Sequence, residues 1–434
     1  MEGEWRKVKE LVQIKGGKRL PKGSSLQIKK NDHPYIRVRD MEGRYLPKKG
    51  LEYVPDEIFP KIKNYIVEEN NLLVSVVGTV GLISVVDTFF HNASQTENCT
   101  RLAGLDKQDA LFLYYSLTAP SGQREIELQT VGAVQPKLPV YGIKNINVRW
   151  PEKSQRMAIA HVLGSLDDKI ELNRRMNETL EGMAQALFKS WFVDFDPVID
   201  NALAAGNPIP EPLAQRAETR RQALASGTAN RESAQTFPAS FRFTEELGWI
   251  PEGWEIGQIS ELFELHRGFD LSAKKRTYGL FPVYSAGGIH GMHNEYKMDP
   301  PGIITGRSGV IGNVYLSLTR YWPLNTTLYV RSFRKCGPFY ALHFLRRLDL
   351  KVYNSGSAVP SLNRNYVHAS ETFIPSNEAL EAFEVLLADL YKKIKANDEE
   401  SKQLAKLRDV LLPKLISGEL RIPQAEKMVE EAVA

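Results

Sequence analysis

The sequence predicts an α+β protein with two pseudo-repeated α+β domains joined by two long antiparallel coiled-coil helices. Three observations predict this fold class: a long amphipathic stretch occurs twice, short apolar runs punctuated by glycine and proline precede each copy, and short motifs recur in the same order. The expected segments are domains at 1–152 and 247–376, helices at 153–195 and 377–420, a partly irregular linker at 196–246, and a tail at 421–434.

The first domain is expected to contain mostly short strands. Residues 72–86 indicate a strand, a glycine turn and a second strand, with Gly78-Thr79-Val80-Gly81 at the centre. The run from Tyr35 to Arg39 alternates as a strand with Arg37 and Arg39 on one face. Residues 105–117 have helical character, and residues 147–150 close the domain.

The two long helices share one heptad seam, in which apolar residues recur at alternating steps of four and three. Ile170 and Ile394 are 224 residues apart, as are Trp191 and Leu415, so the two copies are in register. The seam of the first helix is Ile159, Leu163, Leu166, Ile170, Asn173, Asn177, Leu180, Ala184, Leu187 and Trp191. The seam of the second is Phe383, Leu387, Leu390, Ile394, Asn397, Ser401, Leu404, Arg408, Leu411 and Leu415.

Polar residues inside the seam predict how the helices pair. In an antiparallel arrangement about the midpoints, Asn173 faces Ser401 and Asn177 faces Asn397, so the polar breaks form one central layer. A buried polar layer lowers stability but fixes register in a coiled coil. Separate packing of each helix on its own domain is the alternative. The residues expected at the centre of the pairing are Ile170, Asn173, Asn177, Leu180, Ile394, Asn397, Ser401 and Leu404.

The segment after the first helix is rich in Ala, Pro, Gln and Arg and has few large aliphatic residues, which is typical of a linker. A helix is predicted at 211–226, and no structure is assigned to 227–238. A second domain then repeats motifs of the first. Glu10-Leu11 with Gly17 matches Glu261-Leu262 with Gly268, residues 78–81 match 306–309, and residues 132–138 match 356–362.

Composition sets broad limits on the function. The 434 residues are 42% hydrophobic and 25% charged, as in ordinary globular proteins, and the net charge of +4 is compatible with a nucleic-acid partner. The two cysteines, Cys99 and Cys336, lack metal-ligand spacing and suit a reducing compartment. The charged start predicts no signal peptide, and no run is apolar enough to span a membrane. A cytoplasmic protein is therefore expected.

Catalytic motifs are poorly represented. There is no phosphate-binding G-x-x-x-x-G-K-[ST] loop. Asp299-Pro300-Pro301 resembles an amino-methyltransferase signature, but Gly302 occupies the place of its aromatic residue. Asp56 and Glu57 with Lys61 or Lys63 loosely suggest a nuclease carboxylate set, and His290 with His293 suggests a metal site without a third ligand. Turns and solvated surface charges explain these residues better, so no catalytic or metal-binding residue is predicted.

Basic residues cluster in both domains and alternate with tyrosines, which favours contact with nucleic acid. Lysine and arginine in loops neutralise phosphates, while a few arginine and hydroxyl side chains read base edges. The predicted DNA-binding residues are Lys15, Lys18, Arg19, Lys22, Arg37, Arg39 and Thr79 in the first domain, and Arg267, Lys274, Lys275, Arg276, Arg307, Ser308 and Arg364 in the second.

Five stretches of this chain together resemble the specificity subunits of type I restriction-modification systems (the HsdS family). Their order, including the duplication, extends the resemblance over essentially the whole chain. The stretches are WRKVKELVQIKGGKRLPKG at 5–23, GWIPEGW at 248–254, GRSGVIG at 306–312, the LFKSWFVDF ending of 155–195, and LLPKLISGEL at 411–420.

The resemblance implies a non-catalytic subunit with two target-recognition domains. Each domain would read one half of an asymmetric bipartite sequence in double-stranded DNA. The helices would dock two methyltransferase subunits and, through them, motor-nuclease restriction subunits. S-adenosylmethionine, ATP and Mg would bind those partners, and this chain would need no cofactor and no membrane.

Two alternatives come from other functional classes. A self-sufficient DNA methyltransferase or nuclease would have to carry its own catalytic residues. A scaffold-only anti-restriction protein would keep the helices without reading DNA, and would tolerate loss of arginines such as Arg37 or Arg307.

Overall fold

A computed structural model describes residues 3–228, 232–356 and 358–433 of the chain. The chain divides into two compact units, residues 1–174 with 398–434 and residues 175–397. Each unit contains one globular domain and about half of each long helix. The two α+β domains and the two antiparallel helices confirm the predicted fold class.

The first domain contains a four-stranded antiparallel sheet, a three-stranded sheet in which β3 is parallel to β7, and the pair β1–β9. The strand orders of the two larger sheets are β2-β8-β5-β6 and β4-β3-β7. The strands are β1 (Glu4–Lys7), β2 (Gln13–Gly16), β3 (Pro34–Ile36), β4 (Glu52–Tyr53), β5 (Leu72–Ser75), β6 (Ile83–Val85), β7 (Ser94–Gln95), β8 (Cys99–Ala103) and β9 (Asn147–Trp150). The helices are α1 (Val8–Leu11), α2 (Lys107–Thr118), α3 (Pro120–Gln129) and α4 (Val140–Asn145).

Local chemistry explains several of these boundaries. The β5 strand is completely buried, as expected from its apolar run before the glycine turn. The α2 helix begins after Asp106, whose carboxylate accepts hydrogen bonds from the backbone N–H groups of Gln108 and Asp109. The predicted strand through Arg39 is wrong beyond Ile36, because residues 38–40 form a 3-10 turn whose start is capped by Asp40.

The long helices are α5 (Lys153–Phe192) and α11 (Asn377–Ser417). In the first unit, Ile159 and Leu163 of α5 share one hydrophobic core with Leu411 and Leu415 of α11. Asn173 Nδ2 donates to Ser401 Oγ over 3.3 Å. These contacts match the predicted antiparallel register.

In the second unit, Asn397 Nδ2 donates to Asn177 Oδ1 over 2.8 Å. The rings of Trp191 and Phe383 lie 5.7 Å apart, in the core that α5 and α11 share with the second domain. The predicted pairing of Asn177 with Asn397 therefore agrees with the structure. Arg408, a seam position in the first unit, forms an ion pair with the buried Asp167 at 2.6 Å, which explains a charge in an apolar seam.

The segment 196–246, for which a partly irregular linker is expected, contains regular secondary structure. It contains α6 (Asp196–Ala205), α7 (Ala214–Ala225) and β10 (Phe241–Thr244), which pairs with β11 (Gly248–Pro251). Buried ion pairs rather than large aliphatic side chains hold α7 to α6, so composition misses them: Asp196 with Arg216 and Asp200 with Arg220. The predicted helix at 211–226 agrees with α7. Within 227–238, residues 229–231 lie outside the described residues, and Glu232–Thr236 forms a 3-10 turn.

The second domain repeats the first strand for strand. Its sheets have the orders β13-β19-β16-β17 and β15-β14-β18, with β14 parallel to β18, and the pair β12–β20 corresponds to β1–β9. The strands are β12 (Glu255–Gln258), β13 (Phe263–Arg267), β14 (Phe281–Ser285), β15 (Gly288–His293), β16 (Gly302–Gly306), β17 (Val314–Ser317), β18 (Trp322–Pro323), β19 (Thr327–Phe333) and β20 (Glu371–Ile374). The helices are α8 (Ile259–Leu262), α9 (Pro338–Arg347) and α10 (Arg364–Ala369).

The expected tail also has structure. Ile422–Val433 forms α12, and Ala425 and Val429 on this helix pack into the core of the first unit. None of the described helices is long and apolar enough to cross a membrane.

Candidate nucleic-acid interface

In each domain a glycine begins the loop that carries the basic residues: Gly17 follows β2, and Gly268 follows β13. Each glycine packs closely against the residue that follows β7 or β18. A Cβ atom on Gly17 would lie 1.9 Å from the carbonyl oxygen of Thr96, and one on Gly268 would lie 2.2 Å from that of Leu324. The Gly17 N–H donates to Cys99 and the Gly268 N–H to Thr327. Gly17 and Gly268 are therefore equivalent, as the motif match predicts, and the loops that follow them start from the same position in each domain.

A second glycine turn connects β5 to β6 and β16 to β17, but its predicted alignment is wrong by three residues. Gly78 and Gly81 have φ of +83° and +89°, and their counterparts are Gly309 and Gly312, with φ of +90° and +101°. The carbonyl of Val76 accepts from Leu138, and the carbonyl of Arg307 accepts from Leu362. Arg307 thus occupies the position of Val76, and not that of Thr79.

The match between residues 132–138 and 356–362 agrees with these hydrogen bonds. Lys137 forms an isolated antiparallel β-bridge with Val77. Ser361 forms the equivalent β-bridge with Ser308 in the other domain. Ser357 of this stretch lies outside the described residues.

In the first domain, Lys15 and Lys18 converge on the ring of Tyr65. Their Nζ atoms lie 5.4 and 5.6 Å from the ring centroid, and Lys15 Nζ also donates to the Asn64 carbonyl over 2.7 Å. Tyr35, whose pKa is raised by burial, donates its hydroxyl to the Lys18 carbonyl. Arg19 forms an ion pair with Glu97 at 2.6 Å, and Lys22 is exposed. Lys15 therefore lies on β2, and Lys18, Arg19 and Lys22 lie in the loop that follows it.

Arg37 and Arg39 have a different environment. Both form ion pairs with Glu52, and Arg37 also contacts Asp40 at 3.2 Å. The Arg37 side chain is only 16% exposed, so most of its charge is compensated within the domain. Thr79 is exposed at the glycine turn, where its carbonyl accepts from Ser75 Oγ.

In the second domain, Arg276 lines a recess of roughly 440 Å³, and two further predicted arginines, Arg267 and Arg307, donate hydrogen bonds to its lining residues Asp270 and Asn325. Arg267 Nη2 donates to Asp270 Oδ1 over 3.0 Å, and Asn325 donates to the same carboxylate. Arg307 Nη1 donates to the Asn325 carbonyl over 2.9 Å. Arg276 donates to the His290 carbonyl across the recess.

The other predicted residues of this domain are less clustered. Lys274 and Lys275 are exposed on a 3-10 turn beside the recess. Arg364 is half-buried, and its Nη1 lies 3.4 Å from the Leu265 carbonyl oxygen. Lys297 is a cation that the sequence argument missed: its Nζ lies 4.9 Å from the Trp322 ring and 6.0 Å from the Phe269 ring. Only the fold brings these aromatic rings together.

The residues considered for catalysis have partners within their own domains. Asp56 accepts from Asn31 and lies 3.7 Å from His33, and Asp299 forms an ion pair with Arg320. His293 is buried against Thr277. Among the described residues, no group of three or more His, Cys, Asp or Glu side chains is arranged to hold a metal ion.

Comparison with known proteins identifies the family of this fold. The family model described as the type I restriction modification DNA specificity domain matches residues 2–182 and 251–403. The interval between these matches contains α6, α7, β10 and most of β11. The chain is 26% identical to the type I restriction enzyme HindI specificity subunit of Haemophilus influenzae, over 94% of this chain and 90% of that one.

A more distant relative and a solved structure agree. The chain is 23% identical to the type I restriction enzyme MjaIX specificity subunit of Methanocaldococcus jannaschii, over 96% of this chain and 94% of that one. The S subunit of a type I restriction-modification system from M. genitalium has the same fold, with a TM-score of 0.54 over 95% of this chain and 96% of that one at 18% identity. Because the family model covers well over half of its residues, the chain belongs to the type I restriction-modification DNA specificity family.

Proposed function

We propose that this chain reads an asymmetric bipartite sequence in double-stranded DNA, with one half-site contacted by each domain. The observation that carries the proposal is that two copies of one backbone frame present different side chains at matched positions. Lys15 corresponds to His266, Gly16 to Arg267, Lys18 to Phe269 and Val76 to Arg307. Two such domains would select different bases.

The side chains suit the two kinds of contact that DNA requires. Lysines such as Lys18, Lys22, Lys274 and Lys275 can neutralise phosphates, which positions a protein on the duplex without reading its sequence. Arginines presented at a recess can donate a fork of hydrogen bonds to guanine O6 and N7 in the major groove. The mixture of exposed lysines and tethered arginines supports sequence recognition over a purely structural role.

We infer the partners from the relatives, which are named as specificity subunits of type I restriction enzymes. In this proposal two methyltransferase subunits dock on the α5 and α11 helices, and motor-nuclease restriction subunits join through them. S-adenosylmethionine, ATP and Mg would bind to those subunits, and this chain would supply recognition without catalytic residues. Exposed apolar side chains on the helices support docking: Met176 and Met183 on α5, and Val385 and Leu386 on α11.

The experiment that tests the proposal is methylation mapping of native-host DNA by long-read sequencing, with and without this gene. We expect deletion to remove methylation from one asymmetric bipartite motif, and a plasmid copy to restore it. A methylome that is unchanged by deletion while the methyltransferase subunit is expressed and bound to the chain would contradict the proposal. Methyl transfer by the purified chain alone would contradict the non-catalytic role.

A further inference from the structure

The two domains place a polar pair at one matched position. Two residues after the equivalent glycines, Gly17 and Gly268, lie Arg19 and Asp270. Facing them are Glu97 and Asn325, each one residue after the carbonyl that the glycine approaches. The contacts are Arg19 Nε to Glu97 Oε1 at 2.6 Å in the first domain, and Asn325 Nδ2 to Asp270 in the second.

The loop residue of this pair is basic in the first domain and acidic in the second. The first domain has an arginine on the loop and an acid on the facing strand end, whereas the second has an acid on the loop and an amide facing it. In the second domain the arginine is supplied by Arg267, three residues earlier, which contacts both oxygens of Asp270 at 3.0 and 3.3 Å. Each domain therefore has, at this place, one exposed arginine that is held by a carboxylate.

These arginines are held in place although they lie at the surface. The Arg19 side chain is 79% exposed and that of Arg267 is 45% exposed. An exposed ion pair contributes little to stability, so stability alone does not account for a pair at this place in both domains. A guanidinium has five N–H donors, and its carboxylate uses only one or two of them. A tethered arginine thus keeps donors for a ligand and loses less side-chain freedom on binding it.

We propose that Arg19 and Arg267 each read a guanine in their respective half-sites, and that Glu97 and Asp270 are the positioning residues that orient them. This inference rests on the proposed function. The ligand chemistry is the O6 and N7 acceptor pair that guanine presents in the major groove. Because Arg19 lies on the loop and Arg267 at the strand end, the two guanines occupy different places in their half-sites.

The neighbouring cations have a different role. Lys15 and Lys18 beside Arg19, and Lys274 and Lys275 beside the recess, carry point charges suited to phosphates. Their loss lowers binding to every sequence alike, whereas loss of a base-reading arginine changes the sequence that is bound.

The test compares methylation motifs in the native host after deletion of the gene and complementation with variants. We expect Arg19→Ala and Arg19→Lys to relax one guanine position in one half-site, and Arg267→Ala and Arg267→Lys to relax one position in the other. Discrimination at that base should fall about tenfold or more, and the second half-site should stay intact. The lysine variants keep the charge but lack the planar fork, so they separate base reading from charge neutralisation.

Four further variants complete the design. Asp270→Asn should relax the same position as Arg267→Ala, because it removes the charge that orients Arg267. Lys22→Ala and Lys275→Ala should lower methylation at all sites without changing the motif. Arg221→Ala removes a similarly exposed arginine–glutamate pair on α7. It should leave the methylated motif and the extent of methylation unchanged.

Two results would overturn the inference, and they are distinguishable. If the arginine variants lower methylation uniformly and keep every base of the motif, the arginines contact the backbone only. If the wild-type chain directs no bipartite motif, the proposed function itself fails.

Discussion

At the scale of single residues, Glu384 shows how a largely buried carboxyl links the second domain to its helix. Glu384 lies on α11 and accepts hydrogen bonds from the backbone N–H groups of Phe339 (3.2 Å) and Tyr340 (2.7 Å), in the first turn of α9. Burial raises the pKa of Glu384 to about 7, although the two N–H donors act in the opposite direction. The carboxyl group therefore takes up a proton near neutral pH in the folded protein.

This shift predicts a specific pH dependence of stability. Folding raises the pKa of Glu384. The contribution of its protonated carboxyl to the unfolding free energy is therefore fully present below the unfolded pKa near 4.5 and is lost as pH rises through about 7. We expect Glu384→Gln to remove about 2 kcal/mol of the fall in unfolding free energy between pH 5 and pH 8, since the side chain is partly exposed and the full shift is not realised. Urea unfolding followed by tryptophan fluorescence measures the slope.

The control for this prediction is Glu378→Gln, an exposed acid on the same helix. It should keep the wild-type slope. An unchanged slope in Glu384→Gln would show that another group titrates in this range.

Sequence reasoning performs unevenly at the residue scale. It selects Lys15, Lys18 and Arg19 together as DNA-binding residues because they lie within five residues of each other, and their contact with DNA stays a prediction. The ion pair between Arg37 and Glu52 could not be predicted from the sequence, because that contact depends on the β3–β4 pairing. Sequence reasoning also places Arg307 three residues out of alignment, because the letters G-x-x-G recur at overlapping positions and only backbone φ distinguishes them.

At the scale of secondary-structure elements, the α5–α11 pairing was predictable in detail. A heptad seam specifies which residues face the partner, and its two polar breaks leave one register in which they meet. The structure has Asn177 and Asn397 in contact in that register. By contrast, Ala217 is the only buried residue of α7, and the ion pairs that join α7 to α6 connect residues twenty positions apart, so only the expectation of a helix at 211–226 agrees with the structure.

The asparagine layer predicts non-additive effects of mutation. Asn397 is almost completely buried, so Asn397→Leu leaves Asn177 without this partner and should lower the unfolding free energy by about 1–3 kcal/mol. The double variant Asn177→Leu/Asn397→Leu removes both polar groups and should recover most of that loss. Denaturant unfolding of the two single variants and the double variant measures the coupling. Simple additivity would contradict a direct interaction.

The α6–α7 ion pairs predict a contrast between neighbouring arginines. Arg220 Nε donates to Asp200 Oδ1 over 2.8 Å, and the Asp200 side chain is only 2% exposed. Arg220→Ala leaves the buried Asp200 carboxylate without this ion pair and should lower the unfolding free energy by about 3 kcal/mol. Arg221→Ala removes an exposed ion pair with Glu218 and should lower the unfolding free energy by less than about 1 kcal/mol. Similar unfolding curves for both variants would contradict a stabilising role of the buried pair.

At the scale of the whole molecule, the duplication was visible in the sequence, but the places where the copies differ in length were not. The matched glycines Gly17 and Gly268 are 251 residues apart, whereas Leu138 and Leu362 are 224 apart. Most of the difference lies between β3 and β5, where the first domain has 35 intervening residues and the second has 16 between β14 and β16. Loops tolerate such changes because they lie at the surface, whereas paired strands do not.

The proposed function ties the unread spacer of the DNA target to the length of the two helices, because each helix contributes residues to both compact units. Inserting one heptad between Arg175 and Met176 and another between Asp398 and Glu399 preserves the antiparallel register on both sides of the insertions. Seven residues add about 10 Å and nearly two full helical turns, so each domain keeps its rotational setting. At about 3.4 Å per base pair, the added length corresponds to about three base pairs, which also turn one half-site by roughly 100° around the duplex, so the variant should select a longer spacer or lose DNA binding. A single insertion in α5 misaligns the seam and should abolish methylation. Methylome sequencing reads half-sites and spacer together, and an unchanged spacer in an active double-insertion variant would show that helix length does not set the target.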